Sequence, residues 1–447
     1  MGLLNFLRGN TFSHGVHPPQ HKDITNTLAI RRLPFAPCMI LPLSQHFGAA
    51  SIPIVHEGQE VVRGQPIAEA DGFLSVPLHS PATGVIEKFD LVHTVLGPKV
   101  KAIILKLYPG ASQEVLYEVN QDIDAMEPNE LIAAVQHTGM VGLGGATFPT
   151  HVKLSPPKGF PIDTVLVNGC ECEPYITSDH RIMLENTADL IYGIRIVLKA
   201  VGAKRAVIGI EDNKLDAVEA IRAKLPKGVP ITVEVVKTKY PQGAEKMLIT
   251  ALLGREVPSG GYPYHVGVSP FNVTTLAQLG ALLPRGQGLI ERVVTLTGSG
   301  VTNPGNYIVA LGTPLRFVLE QVGYFGSHDK LIFGGPMMGM TISSLDVPVT
   351  KGVSSIVVQT EEEQAVNVAK KVYPCIRCAA CVEACPINLN PSQLGLLAAK
   401  HEYEIMQQRY HLNDCFECGS CSYVCPSGIP LVQYFRIAKA VNRERQA

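Results

Sequence analysis

The chain has 447 residues and a formal net charge of -1, with 38 basic side chains against 39 acidic ones. This even balance excludes the strong positive field with which proteins attract nucleic acids, so we expect no nucleic acid among its partners. Apolar residues make up 46% of the sequence, which excludes global disorder, and the length favours three or four domains.

The sequence carries no signal for membrane insertion or secretion. It has no run of 18 apolar residues, so we expect no transmembrane span. Residues 1–10 are too short for the apolar region of a secretory signal and contain no cleavage site. We therefore expect a cytoplasmic chain, which could still join a membrane complex as a peripheral subunit.

The first third of the chain predicts a small all-β module. Residues 1–30 are rich in Pro and His and predict an irregular segment. Residues 31–118 contain short β-branched runs separated by Gly and Pro, as strands and tight turns require. This stretch resembles the barrel-sandwich hybrid of lipoyl and biotinyl carrier domains. Residues 68–75, between its two halves, contain no Lys to be modified, so we interpret it as a structural relative and not as a carrier.

Residues 119–285 alternate apolar strand-like runs with helical patterns, which predicts an α/β layer fold. The predicted strands are 163–168, 206–210 and 231–236, and the predicted helices are 129–136, 187–201 and 214–224. Residues 286–355 return to β structure, with a strand at 292–297, a turn at 303–305 and a helix at 315–322. That order resembles the β-grasp module of the SLBB class. The whole chain is thus predicted to be multidomain α/β with small β modules.

Residues 361–447 contain eight of the eleven cysteines, in two runs of the same pattern, C-x2-C-x2-C-x3-C-P. This pattern is typical of ferredoxins with two 4Fe–4S clusters, in which the fourth cysteine of each run binds the other cluster. The helical stretch 391–409 between the runs favours a helical ferredoxin domain. Structural zinc and disulfides fit the spacing less well. The predicted ligand sets are Cys375, Cys378, Cys381 and Cys425 for cluster I, and Cys415, Cys418, Cys421 and Cys385 for cluster II.

A glycine-rich loop occupies residues 142–149, with a Lys beyond it at Lys153. Glycines let bare backbone N–H groups approach a phosphate or a flat ring. The loop is not the dinucleotide fingerprint of a Rossmann fold, because position 147 is Thr147 and the loop follows a helix. On these residues alone, a nucleotide-binding loop and a structural turn both stay open.

Polar residues follow the predicted strand 163–168. The carboxyl ends of strands in α/β sheets are where ligands bind. The sequence there contains Asn168, Glu171 and Glu173, although the two glutamates could also form a solvated turn. Two further segments, 240–246 and 271–275, carry polar residues between apolar runs.

Together these four segments resemble the FMN- and NADH-binding 51-kDa subunit family of respiratory complex I. The order of β module, flavin domain, SLBB module and tandem ferredoxin is also similar to that of the RnfC family of the Rnf electron-transport complex. The resemblance implies non-covalent FMN, NAD(H) and two 4Fe–4S clusters. It also implies a peripheral position on the cytoplasmic side of the inner (plasma) membrane, among other subunits of an ion-translocating ferredoxin:NAD⁺ oxidoreductase that include a ferredoxin-like iron–sulfur subunit.

The resemblance also implies residue roles. Glu171 and Glu173 would lie at the flavin and nicotinamide, where the reaction takes place. Cofactor-binding residues would be Gly142, Gly144, Gly145, Phe148, Lys153, Asn168, Glu245, Asn272 and Thr275. In this family the activity would be hydride exchange between NAD(H) and FMN, followed by one-electron transfer through the clusters.

Three residues depart from the complex I pattern, namely Cys170 for an Asp, and Thr147 and His151 for glycines. They put the NADH site in question more than the FMN site. Two alternatives therefore stay open. One is a soluble NADH dehydrogenase or hydrogenase diaphorase subunit, and the other is a cluster-bearing scaffold that has lost its flavin.

Overall fold

The fold is that of a computed structural model, and the structure describes residues 10–95, 97–324, 326, 329–342, 344–361 and 371–446. Residues 1–9 of the predicted irregular segment lie outside this range. So do residues 362–370 and 447 of the predicted ferredoxin domain, and the single positions 96, 325, 327, 328 and 343.

The first module is a pair of small antiparallel sheets, as the barrel-sandwich prediction requires. Their strand orders are β2-β8-β7-β4 and β3-β5-β6. Met39, Ile86 and Leu105 are fully buried in the core of this module. The strands are β2 (Cys38–Pro42), β3 (Ile52–Pro53), β4 (Glu60–Val61), β5 (Pro66–Glu69), β6 (Leu78–His79), β7 (Gly84–His93) and β8 (Lys99–Leu107), and β1 (Arg31–Arg32) precedes them.

Strand β1 lies in the predicted first module but pairs with another one. Arg31 lies opposite Tyr307 and Arg32 opposite Ile308, in parallel register. The guanidinium of Arg31 stacks over the Tyr307 ring at 4.5 Å, and Arg32 forms an ion pair of 2.7 Å with Glu291. These two contacts explain why residues 31 and 32 leave the barrel module.

The second module is a parallel four-stranded sheet with helices on its faces. Its strand order is β11-β10-β9-β12, so the order reverses between β9 and β12. In doubly wound sheets, ligands bind in the crevice at such a reversal. The strands are β9 (Thr164–Gly169), β10 (Arg205–Glu211), β11 (Ile231–Val236) and β12 (Val268–Asn272). The helices are α1 (Pro128–His137), α2 (Thr150–Lys153), α3 (Ser178–Glu185), α4 (Thr187–Val201), α5 (Leu215–Lys224), α6 (Glu245–Leu253) and α7 (Val273–Leu282).

The third module is a six-stranded sheet of order β1-β14-β13-β17-β15-β16, with one helix packed on it. Its last strand continues to Gln359, four residues past the predicted end of this module. Its elements are β13 (Glu291–Thr297), β14 (Gly305–Ala310), α8 (Leu315–Gln321), β15 (Lys330–Phe333), β16 (Met340–Ile342) and β17 (Ser355–Gln359).

The fourth module is helical, as expected for a helical ferredoxin domain. The predicted helical stretch 391–409 is two helices, because His401 between them has a left-handed φ of 58°. No helix of the described residues is long and apolar enough to cross a membrane. The helices are α9 (Ala380–Glu383), α10 (Pro391–Ala399), α11 (Tyr403–Tyr410), α12 (Ser420–Tyr423) and α13 (Leu431–Gln446).

Candidate flavin and iron–sulfur sites

The polar residues predicted at strand ends meet where the strand order reverses. Asn168, near the end of β9, lies directly opposite Asn272, at the end of β12. The Asn168 side chain donates 2.7 Å to the Gly243 carbonyl and accepts 3.0 Å from the backbone N–H of Cys170. The segments around 168, 243 and 272 therefore converge on one crevice of the parallel sheet.

The glycine loop closes over this crevice and is held by three modules. Its own module contributes Thr275, whose hydroxyl accepts 2.9 Å from the Leu143 N–H. The third module contributes Arg292, which donates 3.2 Å to the Leu143 carbonyl. The first module contributes Phe47, whose N–H donates 3.2 Å to the Thr147 carbonyl. The loop is thus fixed at both ends by hydrogen bonds from distant parts of the chain.

The tip of the loop is open to solvent. The N–H of Gly142 donates 2.9 Å to the Phe148 carbonyl, and the N–H of Thr147 donates 3.1 Å to the Gly142 carbonyl. Between these bonds Gly144 and Gly145 are exposed, and Gly145 has a φ of 109°, which side-chain-bearing residues rarely adopt. A closed loop with exposed, turned backbone at its tip is a frame suited to an anionic ligand.

Asn272 and Thr275 serve the helix that follows β12 and the loop. The Asn272 side chain caps α7 by accepting 3.2 Å from the Thr275 N–H, and it donates 2.7 Å to Asp179. Asp179 also accepts 2.5 Å from the Thr274 hydroxyl. Both predicted cofactor residues are in the crevice, where their described bonds position the glycine loop and α7.

Lys153, Glu245 and Phe148 surround the same crevice. The Lys153 ammonium lies 3.2 Å from the Pro270 carbonyl and 3.6 Å from the Glu245 carboxylate, with 30% of its side chain exposed. The Phe148 ring is half-buried and lies 5.7 Å from the exposed ring of Phe47. A partly exposed ammonium beside an open glycine loop can bind a phosphate.

Glu171 is buried and its carboxylate is already bound. It accepts 2.8 Å from the backbone N–H of Asp179 at the start of α3, and 3.3 Å from the Ser178 hydroxyl. A carboxylate at a helix N-terminus satisfies unpaired N–H groups and complements the helix dipole. A nucleotide contact by this carboxylate would have to replace one of these bonds.

Glu173 points towards the third and fourth modules. Its carboxylate accepts 3.1 Å and 2.8 Å from the N–H groups of Met337 and Met338, and the Tyr240 hydroxyl lies 3.5 Å away. Burial raises the pKa of Glu173 to about 7, although the two N–H bonds act in the opposite direction. This glutamate therefore links the flavin module to the loop 335–339.

Two buried basic residues that hold the site were missed at the level of sequence. Lys22, from the segment expected to be irregular, donates 2.8 Å to the Glu173 carbonyl and 2.5 Å to the Ile176 carbonyl. Arg292 is 1% exposed. The one signal available was a charged residue inside the apolar run 292–297, because a strand buried on both faces otherwise excludes charge.

The departures from the complex I pattern lie away from the loop tip or are compatible with it. The Cys170 thiol is buried against β10, 3.6 Å from the Gly209 carbonyl, and burial raises its pKa. His151 is fully buried, and its Nε2 donates 2.7 Å to the Phe73 carbonyl. Thr147 adopts a left-handed φ of 48°. The loop therefore forms without the glycines usual at positions 147 and 151.

One further side chain bears on whether a ligand fits here. Gln242, beside Gly243, is fully buried, and neither its amide nitrogen nor its amide oxygen has a hydrogen-bond partner among the described residues. Leaving such a group unpaired costs about 1–3 kcal/mol. An orphaned amide next to an open glycine loop fits a site whose remaining polar partners come from a ligand such as FMN.

The eight cysteines of the fourth module are brought together in the two predicted sets. The pKa of Cys381 is raised by burial and then by the neighbouring thiols of Cys425, Cys375 and Cys378. The pKa of Cys421 is raised by burial and then by Cys415, Cys418, Cys385 and, most weakly, Cys381. Thiolates that repel one another in this way are the donor set that iron–sulfur clusters need. Within the described residues, no three His, Cys, Asp or Glu side chains are placed to hold one metal ion together.

Four family models match consecutive parts of the chain. They are the RnfC barrel sandwich hybrid domain over residues 10–107, the Nuo51 FMN-binding domain over 135–281, the SLBB domain over 293–341 and the 4Fe-4S dicluster domain over 374–429. The fold and the sites thus define a flavin- and iron–sulfur-containing electron-transfer protein.

The curated relatives narrow this class further. The chain is 41% identical to the RnfC-type subunit of the proton-translocating ferredoxin:NAD⁺ oxidoreductase complex of Clostridium ljungdahlii, over 97% of this chain and 94% of that one. It is 38% identical to the Na⁺-translocating counterpart of Acetobacterium woodii, over 89% of each. The corresponding subunit of an ion-translocating oxidoreductase complex of Haemophilus influenzae is 40% identical over 96% of this chain and 64% of its own length. The chain belongs to this RnfC family.

Among solved structures, the chain resembles an NAD⁺-reducing NiFe-hydrogenase in the air-oxidized state, with a TM-score of 0.55 and 19% identity over 71% of this chain and 63% of that one. The H2-reduced state of such an enzyme gives a TM-score of 0.52 over 70% and 62%. At this identity the likeness concerns the fold alone.

Proposed function

We propose that the chain exchanges a hydride between NAD(H) and FMN, and single electrons between FMN and a partner, as the peripheral subunit of an ion-translocating ferredoxin:NAD⁺ oxidoreductase. The observation that carries this proposal is the glycine loop, held by three modules over the point where the strand order reverses. The 38–41% identity to named subunits of such complexes supports the same activity.

FMN would bind without a covalent link in the crevice between β9 and β12. The backbone of Gly142, Gly144 and Gly145 would line it, and Lys153 would supply the phosphate counter-charge, with Glu245 orienting the ammonium. Asn168, Asn272 and Thr275 would shape the crevice. We assign Phe148 to the dinucleotide, because its half-buried ring flanks the open tip of the loop.

FMN, when bound, supplies both hydride and one-electron chemistry, and the protein supplies the pocket. Glu171 would act by fixing α3 and Glu173 by fixing the loop 335–339 beside the crevice, so both glutamates are proposed to position the reacting rings. The carboxylates lie at strand ends where a nicotinamide would approach. NAD(H) is assigned on the same grounds and on the printed names of the relatives.

The two cysteine sets would each hold a 4Fe–4S cluster. The other subunits of the complex, including a ferredoxin-like iron–sulfur subunit, are the proposed partners. The proposed location is the cytoplasmic side of the inner membrane, where NADH is available.

The test is anaerobic mixing of the reconstituted protein with NADH, followed at the flavin absorbance band. We expect rapid bleaching, and then reduction of the clusters detected by electron paramagnetic resonance. A chain that retains FMN and clusters but is not bleached by NADH would contradict the dinucleotide assignment. A chain with clusters and no flavin would support the scaffold alternative instead.

A further inference from the structure

The two cysteine loops of the fourth module share a sequence pattern but have opposite surroundings. In the first loop, residues 371–379, every residue is exposed except the half-buried Cys375. In the second loop, residues 414–418 are half-buried and Gly419 is buried. Within one small domain, one ligand loop therefore faces outwards and the other faces the rest of the chain.

The second loop is fixed to the other modules by specific contacts. The Cys418 carbonyl accepts 2.6 Å from the Tyr240 hydroxyl of the flavin module. The Asp414 carboxylate accepts 3.0 Å from the Gly260 N–H and also a bond from the Ser259 hydroxyl. The second loop is thus the inner one, on the side of the proposed flavin crevice.

The sequences of the two loops reflect this difference. Ala379 and Gly419 occupy the same place in the pattern and both have left-handed φ angles, of 62° and 86°. A Cβ at position 419 would lie 2.6 Å from the Met337 carbonyl, which is too close for any real contact. The outer loop accepts a Cβ at Ala379, whereas the inner loop requires glycine because another module packs against it.

The outer loop combines apolar and basic residues. Val372, Tyr373 and Ile376 have 53%, 55% and 68% of their surface exposed. Lys371 and Arg377 lie among them, and residues 371–379 contain no acidic residue. Exposed apolar side chains grouped in this way mark interaction sites, and basic residues around them favour an acidic partner.

The outer loop is also held in place. The Tyr373 N–H donates 2.9 Å to the Ser427 carbonyl, and the Ser427 hydroxyl donates 3.1 Å to the Pro374 carbonyl. A preformed surface loses less entropy on binding than a mobile one. Cys378, a predicted cluster ligand, is exposed on this surface, so a partner docked there would sit directly over a cluster ligand.

We propose that residues 371–379 form the docking surface for a small acidic one-electron carrier of the ferredoxin type. The proposal rests on the proposed function, since it assumes that the cysteine sets hold redox clusters. Small interfaces of this kind, with a few apolar contacts inside a charged rim, are typical of transient redox encounters.

The proposal is tested by the affinity of the reconstituted chain for an oxidised, acidic two-cluster bacterial ferredoxin, measured by calorimetry at low and at moderate salt. We expect the wild-type chain to bind the ferredoxin and to lose affinity as salt rises. Lys371→Glu and Arg377→Glu together should weaken binding at low salt about tenfold, or about 1.4 kcal/mol, and flatten its salt dependence. Lys227→Glu, the same charge change on an exposed residue of the flavin module, is the matched control.

A second pair of variants tests the apolar contacts. Ile376→Ser should weaken ferredoxin binding without changing its salt dependence, whereas Leu91→Ser, equally exposed on β7, should not. Iron content is compared in all variants, and Lys371→Glu alone, four positions before the nearest cysteine, serves if Arg377→Glu disturbs cluster loading. Absence of binding by the wild-type chain, or equal affinity of the outer-loop variants and their controls, would overturn the proposal.

The same preparations separate this proposal from the proposed function. NADH should bleach the flavin equally in the wild-type chain and in all these variants. A wild-type chain that binds ferredoxin through the outer loop but is not bleached by NADH would contradict the NADH assignment and leave the docking surface standing.

Discussion

At the scale of single residues, the two glutamates of the flavin module are the instructive case. The sequence predicts that Glu171 and Glu173 follow a buried strand, and both do. Their bonding partners could not be predicted, because the N–H groups of Met337 and Met338 lie 164 and 165 positions away from Glu173. Local sequence specifies that a strand ends in carboxylates, while the choice of partner depends on how distant modules pack.

Lys153 is the residue on which FMN binding should depend most directly. Lys153→Ala removes the one ammonium that the structure places beside both Glu245 and the glycine-loop crevice. We expect FMN affinity to fall by about 1.5–3 kcal/mol, the worth of a hydrogen bond to a charged group. Flavin fluorescence titration measures this. Lys158→Ala, an exposed lysine of the same module, is the control, and equal retention by both variants would place the phosphate elsewhere.

Gly419 and Ala379 form a matched pair at equivalent positions of the two cysteine loops. Gly419→Ala should destabilise the docked fourth module by about 1–2 kcal/mol from the left-handed backbone alone, and by more because the new Cβ meets the Met337 carbonyl. Ala379→Gly should be tolerated. Limited proteolysis of the fourth module measures both effects, and equal resistance of the two variants would mean that the inner loop is not packed as described.

At the scale of elements, strongly patterned segments are the predictable ones. The helix predicted at 187–201 has those bounds in the structure, because its apolar residues recur at helical spacing and bury Leu190, Ile194 and Val197. The strand predicted at 231–236 likewise keeps its bounds. The break at His401 and the pairing of β1 with the third module were not predictable, since each depends on a single backbone angle or on contacts to residues far along the chain.

Arg292 joins two such elements, β13 and the glycine loop. Arg292→Met should leave the carbonyls of Leu143 and Lys351 without their donor, since the guanidinium binds both. We expect weaker FMN retention and a loss of stability of about 2–4 kcal/mol, because each unpaired buried group costs about 1–3 kcal/mol. Flavin content after gel filtration and the melting temperature measure these effects.

The control for this change is Arg205→Met, at the exposed first position of β10. It should preserve the flavin content. If Arg292→Met retains FMN as well as this control does, the glycine loop does not need the third module to keep its shape.

At the scale of the whole molecule, the order of modules was predictable and their junctions were not. The cysteine pattern, the glycine loop and the β-rich runs each identify a module by local sequence alone. The buried cluster of His46, His79 and Lys351, where the first three modules meet, has no local pattern. Its members are separated by up to 305 positions and become neighbours only when the modules pack.

This junction should make the protein sensitive to acid. Burial, and then Lys351, lowers the pKa of His79 to about 3 and that of His46 to about 4. The folded state therefore binds fewer protons than the unfolded state between these values and about 6.5, the ordinary pKa of histidine. Stability should be complete above about pH 6.5 and fall as the pH drops towards 4.

The melting temperature at pH 7, 6, 5 and 4 measures this dependence. His79→Gln should reduce its slope, because about 1.4 kcal/mol per unit of pKa difference is removed with the imidazole. His56→Gln, an exposed histidine of the first module, should leave the slope unchanged. A His79→Gln chain as acid-sensitive as the wild type would show that the junction does not control acid stability.

The central claim is that one chain holds a flavin site and two iron–sulfur clusters. The most direct test is quantitation of iron, acid-labile sulfide and FMN in the chain after anaerobic reconstitution and gel filtration. We predict about eight irons and about eight sulfides per chain, as two cubanes require, together with FMN equimolar to protein. Half that iron content, bound zinc in place of iron, or a cluster-loaded chain without FMN would contradict the account.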